Sequence, residues 1–208
     1  DWNYTTPFSN TILYTFSVAT GNESGETGQV AFSATQRQHT TEAFRYISQL
    51  TGINFVETGD GNAAQVHLAN TNLTQSPQTS GLCSWQTSYS YVGNTVTAYS
   101  AEVYIYLDNA EFAQQNGNLA PGGGGYETLL HELGHMLGLK HPFEGTDGNS
   151  TTLPTWQDRS ENTLMSYDGS YGYSYAQFSQ YDVAALMWLY GGDGLGGKLG
   201  VTSNGRYL

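Results

Sequence analysis

The chain has 208 residues, with 38% apolar and only 12% charged side chains, enough for a globular domain with a real core. Eighteen acids face six bases, for a net charge of −12. That balance argues against nucleic-acid partners and against anionic membrane surfaces, and suits a soluble, self-repelling exported protein, expected to be a monomer.

Along the chain, Ile12 to Ser17 alternates in polarity and predicts a strand. Residues 20–29, rich in Gly, Asn, Ser and Glu, predict a loop. Ser33 and Gln36 have capping-box spacing, Ala43, Phe44, Ile47 and Leu50 recur at helical period, and Gly52 is a stop. A helix over 34–50 follows. Asn54–Glu57 and Gln65–Leu68 predict short strands, and the strand–helix–strand order predicts a parallel crossover. The polar stretch 70–97 carries no clear pattern. Tyr99 to Leu107 alternates again, and Pro121 to Gly125 is a flexible lead into the next element.

From Tyr126 the pattern is helical, with Leu129, Leu130, Leu133, Met136 and Leu137 as its apolar stripe. Residues 142–161 are irregular. Ser179 opens a last helix, with Val183, Leu186, Met187 and Tyr190 expected inward and Gly191 as its stop. Residues 191–198 predict a linker. The one cysteine, Cys83, excludes an intrachain disulfide and reads as a small buried hydrophobe, the alternative being a thiol near the metal site. No run of 18 apolar residues occurs, and Asp1-Trp2-Asn3-Tyr4 is not a signal peptide, so any targeting segment is expected elsewhere in a precursor. Asn-X-Ser/Thr triplets at Asn3, Asn22, Asn72 and Asn149 reflect the chain's richness in those residues.

The chemistry concentrates in His131-Glu132-Leu133-Gly134-His135-Met136-Leu137-Gly138-Leu139-Lys140-His141. Four helical residues turn the chain by roughly 400°, so His131 and His135 project from one face a turn apart and can share one ion. Glu132 reaches the same cleft without binding the metal, placed to take a proton from a zinc-activated water. His141 can join only if the helix ends, and Gly138 can turn the chain sharply. Three neutral imidazoles leave a zinc position open, the mark of a catalytic rather than a structural site. His39 and His67 are expected to be ordinary surface or core residues. Downstream, Asn162-Thr163-Leu164-Met165-Ser166-Tyr167 offers an apolar floor in Met165, and in Tyr167 a further ligand or an oxyanion donor.

The elongated zinc motif with a Met-containing turn resembles the metzincins. Pro142 directly after His141, together with Met165-Ser166-Tyr167, is similar to the serralysins. The likeness extends to Phe32–Gln36, Gly52–Phe55, Ala69-Asn70 and Tyr181–Leu186 with Leu189-Tyr190-Gly191, so it spans most of residues 10–192. It implies an α+β metzincin (zincin) fold. A twisted, mostly parallel sheet with an antiparallel edge strand would lie above the cleft, with an active-site helix and a smaller, irregular C-terminal subdomain carrying a closing helix. The implied organisation is 1–141, 142–192 and a linker or tail from 193 to 208. The resemblance further implies a secreted, extracellular bacterial endopeptidase acting on protein or peptide substrates. The strand at 101–107 would be the edge to which an extended substrate adds antiparallel. It implies one catalytic Zn2+. Calcium is possible by family, although only Gly191-Gly192-Asp193-Gly194 echoes the glycine-rich calcium repeats that serralysins usually carry.

Three rivals remain at this point, one of them that residues 191–208 begin an adhesive or repeat region for which the catalytic part is cargo. Glu161 could replace His141 as third ligand, as in thermolysin-like proteases, but it lacks a helical context. A zincin-type binding module without activity is another, and the intact Glu132 argues against it.

Overall fold

A computed structural model describes residues 2–5, 9–73, 78–145, 149–169 and 174–201. The N-terminal region is a sheet backed by helices. Strand β1 (Thr11–Thr15) leads through an irregular segment to helix α1 (Ala34–Thr51). Ser33 and Gln36 form the expected capping box, and Gly52 closes α1 with a left-handed backbone at φ +78°. Strands β2 (Asn54–Glu57), β3 (Val66–Thr71), β4 (Gly81–Val92) and β5 (Thr95–Asp108) follow, then the short helix α2 (Ala113–Asn116), helix α3 (Gly124–Met136) and helix α4 (Gln180–Tyr190).

The sheet order is β2-β1-β3-β5-β4. β2, β1, β3 and β5 run parallel and β4 is antiparallel, as expected of an α+β, mostly parallel sheet with an antiparallel edge. One expectation changes. The strand over 101–107 is not the edge: it lies in β5, paired with β3 on one side and β4 on the other. The edge is β4, folded back from β5 through a two-residue turn at Gly93-Asn94, with Gly93 at φ +60°.

β5 alternates as a buried strand must. Val103, Ile105 and Leu107 enter the main core with Ile12, Phe44, Ile47, Leu68 and the stripe Leu129, Leu130, Leu133, Met136 and Leu137 of α3. Tyr104 and Tyr106 face the other side, with Ala69, Val18 and Leu73. There Tyr106 and Ser84 donate to the carboxylate of Glu23, so the loop after β1 covers that face.

α4 turns the expected face inward except at one position. Leu186 and Tyr190 are buried and Val183 is partly so, but Met187 is 41% exposed. The buried partner of Leu186 and Tyr190 is Asp182, one turn earlier. Its hydrogen bonds permit burial that polarity alone would forbid. Residues 194–195 are docked: Gly194 donates its N–H to Thr51, Leu195 its N–H to Asn10 Oδ1, and the Leu195 side chain is buried.

Candidate metal centre

α3 ends in a Schellman motif. Gly138 N–H donates to the His135 carbonyl, Leu139 N–H to the Gly134 carbonyl, and Gly138 takes φ +99°. Gly138 therefore turns the chain at the point where His141 must leave the helix axis. The last carbonyls of the helix are held from outside: Trp2 Nε1 donates to Met136 at 2.9 Å and Tyr190 to Leu137 at 2.7 Å.

The turn brings the three histidines together. His141 Nε2 lies 3.2 Å from His131 Nε2 and 3.1 Å from His135 Nε2. The far nitrogen of each ring is committed. His131 Nδ1 is 2.8 Å from the Leu164 carbonyl, His135 Nδ1 2.9 Å from the Leu139 carbonyl, and His141 Nδ1 2.9 Å from Glu144 Oε2. A carbonyl or carboxylate only accepts, so each Nδ1 carries the proton and each Nε2 presents its lone pair. Burial, with His135 and His141 nearby, holds His131 down at about 4, and burial lowers His135 as well. Three lone pairs facing one point repel unless a cation stands between them. Tetrahedral ligands at 2.0–2.1 Å would stand roughly 3.3 Å apart, so the donor set fits zinc. Among the described residues these three form the metal-capable group, and Glu161 is exposed and outside it.

The floor is the turn at 163–167. Asp182, in the first turn of α4, accepts from Thr163 Oγ1 at 2.6 Å, from Leu164 N–H at 2.7 Å and from Ser179 N–H at 3.0 Å. It thereby fixes the backbone at Leu164, the residue whose carbonyl orients His131. Met165 is buried beneath α3, where Gly134 makes room: a Cβ at 134 would lie 2.7 Å from Met165 Sδ. Sequence reasoning assigned Asp182 no role, although Ser179 and Asp182 have capping-box spacing.

Glu132 lines the same cleft and is only 6% exposed. Burial pushes its carboxyl up to about 8, and a hydrogen bond from the Cys83 backbone opposes the rise. Cys83 itself is buried, and burial raises its thiol pKa. Tyr167 reaches in from the opposite side, its hydroxyl 3.0 Å from His141 Nε2. Desolvation, with Glu132 and Glu144 nearby, holds that phenol above its ordinary value and hence protonated. His39 pairs with Glu42 at 3.0 Å, and His67 stacks on Tyr104, so both lie outside the centre.

The cleft has a volume of about 720 Å³ and runs between α3 and the β4–β5 hairpin, with Leu82, Trp85, Thr87 and Tyr99 on its upper wall.

No protein-family model matches the chain. Curated relatives do. Serralysin G of Dickeya chrysanthemi is 32% identical over 174 residues, 79% of this chain and 35% of that protein. Metallopeptidase AprA of Pseudomonas marginalis is 26% identical over 208 residues, 92% of this chain and 41% of that protein. A serralysin of Proteus mirabilis is 26% identical over 200 residues, 86% and 40% respectively. The chain thus spans about two-fifths or less of the length of these relatives. With the sheet, the three-histidine turn and a similarity that covers most of its residues, the chain belongs to the serralysin-type metalloproteases, as a catalytic domain of that family.

Proposed function

We propose that this chain is a zinc-dependent endopeptidase that hydrolyses internal bonds of extended polypeptides. His131, His135 and His141 hold the ion and Glu132 is the general base. One observation carries the reading: three Nε2 lone pairs converge beside a buried carboxyl at the bottom of an open cleft.

When bound, zinc supplies Lewis acidity towards a peptide carbonyl and acidifies water. The chain's own groups do the rest. Glu132 takes the proton of the attacking water and returns it to the leaving amine. Ionised, the carboxylate accepts that proton; protonated, it delivers it to the nitrogen. Tyr167, a neutral donor beside His141, hydrogen-bonds the developing oxyanion. Among the described residues β4 pairs only with β5, which leaves its outer edge for an extended peptide added as a further strand. We place the domain division at 141/142, with the sheet and α3 in the first unit and the turn at 163–167 and α4 in the second. We place the enzyme outside a bacterial cell on family grounds, as a monomer without nucleic-acid or membrane partners. Among the described residues no helix is long and apolar enough to cross a membrane.

The test is Glu132→Ala. It should bind zinc as wild type does and lose nearly all turnover on casein, with wild-type activity abolished by a chelator and restored by zinc. Full activity in the variant, or chelator-insensitive wild type, defeats the reading.

A further inference from the structure

We propose that Glu144 is a positioning residue of the metal centre, which fixes the ring of His141 and strengthens it as a ligand. The inference rests on the zinc reading above.

The three histidines are not held alike. His131 and His135 sit on α3 and donate their Nδ1 protons to neutral backbone carbonyls. His141 lies beyond the helix, on the turn after Gly138, where no helical backbone fixes its ring. Its Nδ1 alone faces a carboxylate, Glu144 Oε2, at 2.9 Å. A charged acceptor makes the stronger hydrogen bond and leaves the opposite nitrogen more basic. The His141 ring also stacks on Phe143, with planes 6° apart and centroids at 5.1 Å, so the 143–144 segment grips one edge and one face.

That segment is itself fastened. Lys140 Nζ donates to the carbonyls of Glu144 at 2.6 Å, Thr151 at 2.5 Å and Asn149 at 3.4 Å. Leu153 N–H closes the loop onto the Pro142 carbonyl at 2.8 Å. Lys140 and Glu144 thus bracket His141: one folds the loop over, the other uses it. Glu144 is 55% exposed, so its long-range charge is screened and its effect runs through the hydrogen bond.

The experiment measures zinc affinity by competition with a chromophoric chelator, at low and high salt, on wild type, Glu144→Ala, Glu144→Asp and the distant charge control Glu57→Ala. Losing such an outer partner typically costs 10–100-fold in affinity. We expect Glu144→Ala to bind zinc about 10–100-fold more weakly at both salt levels. Glu144→Asp should recover most of the loss, Glu57→Ala should match wild type, and the metal-free forms of wild type and Glu144→Ala should unfold at the same temperature. A Glu144→Ala affinity within twofold of wild type overturns the proposal. So does a loss that salt abolishes, that Glu57→Ala reproduces, that Glu144→Asp fails to restore, or that comes with an earlier metal-free unfolding. Wild type that binds no zinc would instead overturn the function proposed above.

Discussion

Gly81, the first residue of the edge strand, stands against the carboxylate of Glu132: a Cβ built on it would lie 2.8 Å from Oε1 and 2.9 Å from Cγ of that side chain. The strand that forms the roof of the cleft therefore also sets how Glu132 lies beneath it, and the neighbouring Cys83 N–H holds the same carboxyl. Gly81→Ala should push Glu132 aside while leaving the three histidines alone. Misplacing a catalytic group by about 1 Å can cost on the order of 10²-fold, so kcat should fall by about that factor with zinc affinity unchanged. Steady-state kinetics with zinc titration checks this, and a wild-type kcat would show that Glu132 does not depend on the glycine.

Tyr167 is tested by removing its hydroxyl. The residue is 71% exposed, and its ring packs beside His131 and His141, so Tyr167→Phe keeps the packing. If the hydroxyl donates to the oxyanion, kcat should drop by up to about 10²-fold with KM little changed. If it serves chiefly as a ligand, zinc affinity should fall instead. Neither changing would remove Tyr167 from the chemistry.

What the sequence made legible was what is local. The helical stripe of α3, the four-residue spacing of His131 and His135 and the breaking glycine are all written within eleven residues, and the backbone obeys them. The edge strand was illegible because its outer half is polar and exposed on both faces, Ser, Thr and Tyr replacing the apolar alternation that marks a strand. Its one clear signal was the Gly93-Asn94 pair, which suits a two-residue hairpin turn. Met187 was expected inward because it is apolar. Asp182 is buried because Thr163, Leu164 and Ser179 satisfy it, and no periodicity rule counts a carboxylate as core. Its grip on the backbone at Leu164, like that of Glu144 on His141, depends on tertiary or loop geometry that spacing does not encode.

Gly138 carries both the bend and a ligand's orientation. At φ +99° an alanine is strained, and the Leu139 carbonyl that accepts from His135 depends on that turn. Gly138→Ala should lower stability by more than about 1 kcal/mol and weaken zinc binding, because His135 and His141 are both misdirected. Thermal unfolding of the metal-free protein and bound zinc per chain are the two measurements. Retention of both at wild-type level would mean that another residue makes the turn.

Asp108 offers a test of how β5 is tied to the cleft. Burial would raise its carboxyl, but backbone N–H groups of Phe112, Leu73 and Ala110, at 2.8, 2.9 and 3.0 Å, outweigh burial and hold it below its ordinary value of 3.8. The same turn places Asn116, whose Nδ2 donates to the Asp108 and Ser80 carbonyls at 2.8 Å each, immediately before Gly81. A carboxyl whose pKa falls on folding binds protons more weakly in the native state. Its stabilisation is therefore complete above 3.8 and fades as pH drops through the lower native value. Asp108→Asn should cost on the order of 2–3 kcal/mol near neutrality, the scale of charge-assisted hydrogen bonds lost at one site. The gap between variant and wild type should narrow steadily below about pH 4. Urea unfolding of both proteins at several pH values, with chelator present so that metal loss does not intrude, reads the difference directly. A gap that stays constant, or widens, as pH falls would mean that the ionised carboxylate is not what holds the turn.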